Sequence, residues 1–342
     1  METMKAVLIE KPGGPETLKL SVITMPVAKP GQVLIRIKAF GINRAELYMR
    51  AGKWPEIAQV IGIECVGVVE EDPGGNFRKG QKVAAIMGGM GRSINGSYAE
   101  FTVVPASNVI AIETNLSWDE FAAIPESFAS AWGALQTGLN IKKGQTLLVR
   151  GASSAFGLAA IILAKQTGLT VIATTRSPDK EKFLKKMGAD YVLHDNGKLH
   201  RLVKELYPRG VDRVLDLVGS TTLMNSAKLA TSRGVVCMAG LLGGRTFLDL
   251  FQPLVERISV KKWGKKFHLR LPRGTRISFF ASTVFGSNNF PVSEIPLQQI
   301  IKDIEEGIIP SILVRRYSFN EIATAHHHME SNAVNGKLVV LL

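Results

Sequence analysis

The sequence predicts a mixed α/β chain in which a doubly wound parallel sheet follows a β-rich unit. Three observations support this prediction. Strand-like runs separated by Gly, Pro and Asp fill the first third of the chain, and strands alternate with helices from about residue 145 onward. Such alternation is typical of a parallel sheet covered by helices. A small-residue turn at residues 150–157 joins one of these strands to the next helix.

The β-rich first third indicates a barrel-like all-β unit. Its strand-like runs read MKAVLIEK, QVLIRIKAFGIN, VIGIECVGVVEED, QKVAAIM and GSYAEFTVVP. Helical spacing follows at residues 116–135, where Ser117 and Glu120 stand in the order of a capping box. This part of the chain is therefore expected to end in a helix.

The alternating part begins with the strand TLLVRG and the helix SAFGLAAIILAKQTG, and then continues through TVIATTR, SPDKEKFLKKMG, DYVLH, DRVLDLVG and GVVCMAG. The second helix has clear terminal signals, with Ser177 as cap, Pro178 in the first turn and Gly188 beyond the end. The alternation ends near residue 285, and the chain closes with the strand GKLVVLL.

Composition excludes several classes of protein. The 342 residues include only Cys65 and Cys237, which are too few for a disulfide framework and suit a reducing compartment. No uninterrupted apolar run approaches the roughly 18 residues of a membrane span. The N-terminus, METMKAVLIEKPGG, does not resemble a secretion signal, so we expect a cytoplasmic protein.

The formal net charge of +13 is unusual, and much of it lies in RISVKKWGKKFHLRLPRGTR at residues 257–276. Two interpretations stay open for this basic segment. It is either a solvated loop and strand or a surface that contacts nucleic acid or another polyanion. No nucleic-acid-binding motif accompanies it, so charge alone supports the second interpretation.

The turn at residues 150–157, RGASSAFG, is placed as a phosphate-binding loop would be. The three glycine positions of a G-x-G-x-x-G motif hold Ala152, Ser154 and Gly157. Gly157 keeps the role in helix–strand packing, Ala152 is small enough for the turn, and the hydroxyl of Ser154 can donate to a phosphate. A helix N-terminus favours an anion through its free N–H groups and its dipole. The alternative is a small-residue turn in a globular core. The predicted cofactor contacts are Ser153, Ser154, Ala155, Phe156 and Gly157.

The end of the next strand distinguishes NADP(H) from NAD(H). An NAD site usually carries Asp or Glu roughly 20 residues after the loop, to bind the ribose 2′-hydroxyl. This chain has Thr175, Arg176 and Ser177 there, followed by Lys180. Cations suit a 2′-phosphate, so these four residues predict NADPH. The alternative is that Arg176 is an ordinary exposed loop residue.

Nine stretches together carry a family resemblance, and they extend over nearly the whole chain. They read KPGGPETLKL, GINRAELYMRAGKWP, GIECVGVV, GSYAEFTVV, LVRGASSAFGLAA, GLTVIATTRSPDK, MGADYV, LDLVG and FNEIATAHHHMESN. The chain resembles the medium-chain dehydrogenase/reductase superfamily and, within it, the zinc-free quinone oxidoreductases. This implies a GroES-like β-barrel domain at residues 1–126, a Rossmann NADP(H)-binding domain at 127–284, and a return segment at 285–342 that completes the catalytic domain. It also implies a homodimer paired through the strand RISFFAS at residues 276–282.

Two substitutions argue against zinc. Zinc alcohol dehydrogenases have Cys and His at the positions that match Asn43 and Ile63. Ile63 cannot bind a metal and Asn43 is a weak ligand for zinc. The four-Cys structural zinc loop is absent as well, so we expect no metal. The consecutive His326, His327 and His328 point in different directions on a helix, which the resemblance places at the surface.

Without zinc, reduction of an activated acceptor is easier than oxidation of an alcohol. We expect NADPH to reduce a quinone or an activated α,β-unsaturated carbonyl, whose developing oxyanion needs a hydrogen-bond donor and a proton. The resemblance places Asn43 near the nicotinamide, as a cofactor and catalytic contact, and Tyr48 in the substrate cleft. Tyr48 or water supplies the proton; otherwise Tyr48 is a half-buried packing residue. Glu46, where Asp is usual, is interpreted as structural.

Further cofactor contacts are expected from a helix and from the loops that follow later strands. The resemblance places Ser130 close to the nicotinamide; the alternative is a helix-capping or core hydroxyl. The loop contacts are Val218, Gly240, Leu241, Leu242, Phe280 and Ser282. The loops around Trp54, at Met87–Gly96 and at Phe285–Phe290 are expected to shape the acceptor pocket.

Two other functions stay open. The first is a 2-alkenal or enoyl-thioester reductase, in which basic residues hold the phosphate of coenzyme A or phosphopantetheine. The second is a non-catalytic family member that binds RNA or another polyanion, which the net charge of +13 favours. Polyanion binding would weaken steeply with salt because bound counterions are released.

Overall fold

The structure is a computed structural model that describes residues 1–54, 56–239, 269–281, 291–331 and 335–342. The chain divides into two compact units, the first formed by Met1–Ala129 with Ser282–Leu342 and the second by Ser130–Ala281. The predicted contacts Gly240, Leu241, Leu242 and Ser282 lie outside the described residues. So do the loop Phe285–Phe290 and residues 257–268 of the basic segment.

The N-terminal part of the first unit consists of short strands and helices. Its strands are β1 (Thr3–Ile9), β2 (Leu18–Thr24), β3 (Gln32–Gly41), β4 (Glu64–Glu71), β5 (Lys82–Ile86), β6 (Phe101–Pro105) and β7 (Val109–Ala111). The helices are α1 (Arg44–Arg50), α2 (Trp118–Ala122) and α3 (Pro125–Gly133), whose residues from Ser130 onward belong to the second unit. The predicted capping box is confirmed, because the carboxylate of Glu120 accepts a hydrogen bond from the Ser117 N–H at 3.1 Å.

The second unit alternates strands and helices. Its strands are β8 (Thr146–Arg150), β9 (Thr170–Thr175), β10 (Tyr191–His194), β11 (Val211–Asp216), β12 (Ala230–Met238), β13 (Leu269–Arg270) and β14 (Arg276–Phe279). Its helices are α4 (Ala155–Gln166), α5 (Glu181–Lys186), α6 (Leu199–Leu206) and α7 (Leu223–Leu229). The C-terminal part of the chain returns to the first unit with α8 (Leu297–Glu305), β15 (Val314–Ser318), α9 (Ile322–Ser331) and β16 (Lys337–Leu341).

The sheet of the second unit confirms the predicted doubly wound architecture. Its described strands follow the order β10-β9-β8-β11-β12-β14-β13, and all neighbours are parallel except β13 and β14. Successive residues of β8 and β9 are buried after the first, which means that both faces are covered. Leu148 of β8 pairs with Ile172 of β9 and Val214 of β11, and all three belong to the core.

The main sheet of the first unit is open, whereas the sequence led us to expect a barrel. Its described strands follow the order β15-β16-β3-β4-β5-β7, with β6 also paired to β3, and no described strand joins β15 to β7. Strands β16 and β6 pair with different stretches of β3, residues 39–41 and 32–36. Local alternation predicts each strand but carries no information about whether the first and last strands meet.

The strand expected to form the dimer edge is covered at its start. Arg276 and Ile277 of β14 pair with Arg270 and Leu269 of β13, which makes β13 the outermost described strand. The sequence did not indicate β13, because a pairing of two residues leaves too short an apolar pattern to detect. Separately, no helix in the described part of the chain is long and apolar enough to cross a membrane.

Candidate functional site

The loop between β8 and α4 is built around Gly151, a residue that the motif comparison missed. Gly151 has φ of +81°, a left-handed conformation that costs glycine little and other residues much more. The tight turn expected at Ala152 is therefore made one residue earlier. Ala152 is fully buried, and its N–H donates to the Thr174 carbonyl of β9 at 3.3 Å. The signal was present in the sequence as a glycine immediately after an apolar strand.

Ser154 caps helix α4 with its own hydroxyl. The Ser154 Oγ accepts from the Gly157 N–H at 3.1 Å and donates to the Gly151 carbonyl at 3.0 Å. Its single proton is thus used within the loop, whereas we had expected it to reach a phosphate. The N–H groups of Ala155 and Phe156 begin the helix and have no acceptor in the described part of the chain. Ser153 is half-buried in the same turn.

Gly157 lets the first turn of α4 lie against the loop backbone. A Cβ at this position would lie 2.6 Å from the Ala152 carbonyl oxygen and 2.7 Å from the Ala152 Cα. Backbone cannot move aside as the end of a flexible side chain can, so a larger residue would push the helix away. The packing role predicted for Gly157 is the one its geometry supports.

The turn after β9 exposes the side chain of Arg176 to solvent. The Thr175 hydroxyl donates to the Ser177 carbonyl at 3.2 Å and accepts from the Ser177 N–H at 3.1 Å. The Arg176 side chain is exposed, and its carbonyl accepts from the Nε2–H of His194 at 2.6 Å. Lys180 is half-buried at the end of a 3₁₀ turn that begins at Pro178. His194 therefore fixes the backbone from which Arg176 projects.

Arg150 links three segments at the carboxyl edge of the sheet. Its Nε and Nη2 donate to Asp195 at 2.7 and 3.1 Å, and its Nη1 donates to the Ser226 hydroxyl at 3.1 Å and the Asn225 side chain at 3.0 Å. Only 8% of the Arg150 side chain is exposed. This residue was not predicted, although an arginine ending a buried apolar strand was a visible signal.

Asp216 holds the loop that follows β11. Its Oδ1 accepts from the backbone N–H groups of Val218 and Gly219, both at 3.0 Å. Its Oδ2 accepts from the hydroxyls of Thr222 at 2.8 Å and Ser226 at 2.6 Å. Because Ser226 also accepts from Arg150, the loops after β8, β10 and β11 form one hydrogen-bonded assembly that contains the predicted contact Val218.

The remaining described cofactor predictions in the second unit are buried residues. Ser130 on α3 is fully buried, and Phe280 is 4% exposed. The Phe280 N–H donates to the Met238 carbonyl at 3.0 Å, which extends the pairing of β12 with β14 by one residue. Their contact with a cofactor stays a prediction.

In the first unit, Asn43 and Glu46 set the start of α1. The Glu46 carboxylate accepts from the Asn43 N–H at 2.9 Å and from the Ile63 N–H at 3.2 Å. Glu46 is fully buried, and burial raises the pKa of its carboxyl to about 8. These contacts fit the structural role that the sequence suggested for Glu46.

A buried ion pair surrounds the side chain of Asn43. The Lys337 Nζ lies 2.7 Å from Glu64 Oε1 and also donates to the Asn43 Oδ1. The Asn43 Nδ2 in turn donates to Glu64 Oε1 at 2.9 Å, and the Glu126 N–H donates to Glu64 Oε2 at 2.9 Å. An ammonium has no acceptor and a carboxylate no donor, so these partners fix which end of the amide is which. The Asn43 side chain is thus directed into this network.

The charges of this network stabilise one another. Burial lowers the pKa of Lys337, but Glu64 and Glu126 outweigh that effect and raise it above its ordinary value. Lys337 was not predicted, because its partners lie far away in the sequence. Tyr48, on the same α1 helix, is half-buried, and its carbonyl accepts from the Lys53 N–H at 2.8 Å. Of the two predicted catalytic residues, only Asn43 has its functional group fixed in the ion-pair network.

The three consecutive histidines diverge as predicted, but the expected surface position is wrong for one of them. His326 is fully buried, with Nε2 2.8 Å from the Tyr98 hydroxyl and Nδ1 3.2 Å from Arg50 Nη1. Burial and then Arg50 lower the pKa of His326 to about 3. His327 is exposed. Across the described ranges, no three His, Cys, Asp or Glu side chains are placed to hold a metal ion.

Family models and relatives match both parts of the chain. The alcohol dehydrogenase GroES-like domain matches residues 29–114, and the zinc-binding dehydrogenase domain matches residues 155–264. Quinone oxidoreductase from Mus musculus is 30% identical over 353 residues, which cover 99% of this chain and 98% of the relative. The chain belongs to the quinone oxidoreductase-like branch of the medium-chain dehydrogenase/reductase superfamily. It is an oxidoreductase of this nicotinamide-dependent superfamily.

Other relatives of this oxidoreductase match it over nearly its full length. A 2-haloacrylate reductase from a Burkholderia species is 26% identical over 349 residues, 98% of each chain. The quinone oxidoreductase structure from Pseudomonas syringae has a TM-score of 0.84 at 22% identity and covers 99% of this chain and 100% of that one. A mycobacterial structure complexed with NADPH has a TM-score of 0.79 at 25% identity with the same coverage. The predicted combination of a GroES-like domain and a Rossmann domain is confirmed.

Proposed function

We propose that this oxidoreductase uses NADPH to reduce a quinone or another activated α,β-unsaturated carbonyl. The loop from Gly151 to Gly157 carries the proposal. It offers two N–H groups without an acceptor in the described residues, those of Ala155 and Phe156, at the start of a 12-residue helix. It also has no side chain at Gly157, so the first turn of α4 lies against the loop backbone; a Cβ there would lie 2.6 Å from the Ala152 carbonyl oxygen. Both features fit the pyrophosphate of a dinucleotide.

The turn after β9 supports NADPH over NADH. Arg176 stands where an NAD site has a carboxylate for the ribose 2′-hydroxyl, and its side chain is exposed. A guanidinium binds a phosphate through paired hydrogen bonds, which a hydroxyl cannot match. The backbone of Arg176 is fixed by the hydrogen bond from His194. The mycobacterial relative complexed with NADPH agrees with this assignment.

The first unit supplies the residues for the acceptor. NADPH, when bound, supplies the hydride. Tyr48 donates a hydrogen bond, and then its proton, to the oxygen on which negative charge develops. Asn43 holds α1 in place through Glu46 and Glu64, and so positions Tyr48. A direct contact of the Asn43 amide with the cofactor, as the resemblance implies, would require the amide to leave these partners.

The same network supports a reaction without zinc. Asn43 stands at a position that matches a zinc ligand, and its oxygen accepts from the Lys337 ammonium. A divalent cation bound there would be repelled by that ammonium and would find Ile63 in place of a histidine ligand. The charge of Glu64 is already balanced by Lys337 at 2.7 Å. We therefore propose that Lys337 provides the local positive charge in this branch member.

Reduction of a carbon–carbon double bond is a second candidate, which the 2-haloacrylate reductase relative favours. Hydride addition to an acrylate and to a quinone both place negative charge on a carbonyl oxygen of the acceptor, so the same donor serves both. Steady-state rates on quinones, 2-alkenals, acrylates and enoyl-thioesters would rank these acceptors. Salt-sensitive RNA binding without any turnover would instead favour the polyanion-binding alternative.

The proposed assembly is a homodimer. Its edge is β13 or the later part of β14, because Arg276 and Ile277 are already paired within the chain. Light scattering at micromolar concentration should give twice the 37.2 kDa of one chain. A monomeric mass would contradict the homodimer and leave the reductase proposal intact.

The deciding experiment is a fluorescence titration of the purified protein with NADPH and, separately, NADH. We expect tight NADPH binding and weak NADH binding, followed by oxidation of NADPH when a quinone is added. Absence of binding by either cofactor would contradict the assignment of RGASSAFG as a phosphate loop. Equal binding of both would contradict the role of Arg176.

A further inference from the structure

Arg92 is a largely buried cation whose guanidinium makes no hydrogen bond to any of the described residues. Its side chain is 24% exposed, and its Nε is fully buried without an acceptor. The nearest carboxylate is that of Glu56, with Oε2 3.9 Å from Nη2, beyond hydrogen-bond distance, on a side chain that is 58% exposed. Buried guanidinium groups normally have acceptors, because leaving them without one costs free energy. The exposed part of this guanidinium can therefore take an acceptor from outside the described residues.

Trp54 lies beside Arg92 and has an unused donor of its own. The Arg92 Cζ lies 6.0 Å from the centre of the Trp54 ring, and the buried Trp54 Nε1 has no acceptor in the described structure. The buried Ser97 Oγ, farther along the chain from Arg92, also lacks a partner there. Such orphan atoms are rare in folded proteins, yet these three fall in two adjacent loops. One of them belongs to the Arg92 guanidinium and another to the indole ring beside it.

The loop that contains Trp54 and the loop that contains Arg92 are joined by hydrogen bonds. The Ala58 N–H donates to the Gly91 carbonyl at 3.1 Å, the Gly96 N–H to the Val60 carbonyl at 2.8 Å, and the Val60 N–H to the Asn95 side chain at 3.2 Å. Gly91 has φ of +70°, and a Cβ there would lie 2.9 Å from the Gly62 nitrogen. Arg92 thus extends from a backbone position that the packing fixes.

The same loops are joined to the helix of Tyr48. The N–H of Lys53, next to Trp54, donates to the Tyr48 carbonyl at 2.8 Å. One hydrogen-bonded turn of the chain therefore joins Tyr48, the proposed proton donor, to Trp54. Both loops are also the ones that the sequence predicts to shape the acceptor pocket.

We propose that Arg92 and Trp54 form a subsite that binds the carboxylate of an acidic, conjugated acceptor. The guanidinium pairs with the carboxylate through two hydrogen bonds, and the indole ring contacts the planar unsaturated part. Glu56, being exposed, turns to solvent when the carboxylate binds. This inference rests on the proposed reductase function and narrows its acceptor to quinones or enones that bear an acidic group.

Kinetics with a matched pair of quinones test this subsite. The probes are 1,2-naphthoquinone and 1,2-naphthoquinone-4-sulfonate, whose anionic group stands in for the carboxylate. In Arg92→Met we expect KM for the sulfonate to rise roughly 10- to 100-fold, the range for a lost hydrogen-bonded charge pair, with the neutral quinone changed less than about twofold. Arg92→Lys should restore part of the loss. Equal effects on both quinones, or none, would overturn the proposal.

Arg78→Met is the matched control, because Arg78 is exposed and its removal lowers the net charge by the same amount. It should leave both KM values unchanged. An equal loss in Arg78→Met would mean that overall charge attracts the sulfonate, and would overturn the subsite. Arg92→Gln serves as a second variant if the Met variant does not fold.

A binding measurement separates this inference from the reductase proposal. Calorimetric titration with 2-naphthoate, which cannot be reduced in this way, should show binding to the wild type and to Arg78→Met and at least 10-fold weaker binding to Arg92→Met. If neither quinone is turned over, this result would still support the subsite while the reductase function fails. Equal binding by wild type and Arg92→Met would overturn the subsite alone.

Discussion

The ammonium of Lys337 lies 2.7 Å from a carboxylate oxygen of Glu64, and each side chain is only 1% exposed. The pair joins the last strand of the chain to β4, and through Asn43 it also reaches the start of α1. It thus connects the C-terminal strand β16 to helix α1, which carries Tyr48. Removal of either charge would leave the other buried without its counter-ion.

Lys337→Met should strongly destabilise the protein. The variant leaves the Glu64 carboxylate buried without its counter-ion, which costs about 3–5 kcal/mol in the free energy of unfolding. Lys337→Met combined with Glu64→Gln should recover part of that loss, because no charge is then left unpaired. Urea unfolding of both variants measures the difference. Lys79, whose side chain is 75% exposed in its pair with Glu70, offers a control, since Lys79→Met should cost at most about 1 kcal/mol. A single variant as stable as the wild type would contradict the prediction.

Arg176→Ala should weaken NADPH binding and spare NADH. Loss of a charge-assisted contact to the 2′-phosphate should raise Kd for NADPH roughly 10- to 100-fold. NADH has no 2′-phosphate, so its Kd should stay within about twofold. Parallel fluorescence titrations measure both constants, and 2′,5′-ADP against 5′-AMP repeats the comparison without a nicotinamide. Arg209→Ala, at another exposed position of the second unit, controls for overall charge. A similar loss for both cofactors would contradict a specific 2′-phosphate contact.

Much of the fold followed from local pattern, and most of what was missed depends on distant pairings. Continuous apolar strands with capped helices predicted the doubly wound sheet, because neighbouring residues determine each element. The open edge between β15 and β7 could not be predicted, since it depends on β16 pairing with β3 across nearly the whole chain.

The same distinction applies to the site. The phosphate loop was identifiable because its parts are adjacent, although the left-handed turn lies at Gly151 and not at Ala152. The network around Asn43 was not identifiable, because Glu64 and Lys337 meet it only after folding. Arg150 carried a visible signal as an arginine that ends an apolar strand, but its partners could not be predicted, because Asp195 and Ser226 follow other strands of the sheet.

Tyr48→Phe should lower turnover more than it changes binding. If the tyrosine hydroxyl donates to the developing oxyanion, its removal should reduce kcat on a quinone about 100-fold, the lower range for a general acid. KM for NADPH should stay within about twofold, because Tyr48 is not among the predicted cofactor contacts. Steady-state kinetics on one quinone and one enone test this, with near-ultraviolet circular dichroism to verify packing. Turnover within twofold of the wild type would show that water supplies the proton.

His326 should make the protein less stable as the pH falls below about 6.5. Burial, followed by Arg50, lowers its pKa from 6.5 to about 3 in the folded state, so the unfolded chain binds the extra proton first. The stabilisation is fully present above pH 6.5 and is lost progressively as the pH falls toward 3, by at most about 1.4 kcal/mol per pH unit. Other acidic groups titrate in this range too, so the measurement is the difference between wild type and His326→Gln in urea unfolding at pH 7 and pH 5. Between pH 7 and pH 5, we expect the free energy of unfolding to fall less in His326→Gln than in the wild type. In His327→Gln, which changes an exposed side chain, it should fall as much as in the wild type. Equal losses in all three proteins would mean that His326 is already charged in the folded state, with Arg50 displaced from its ring.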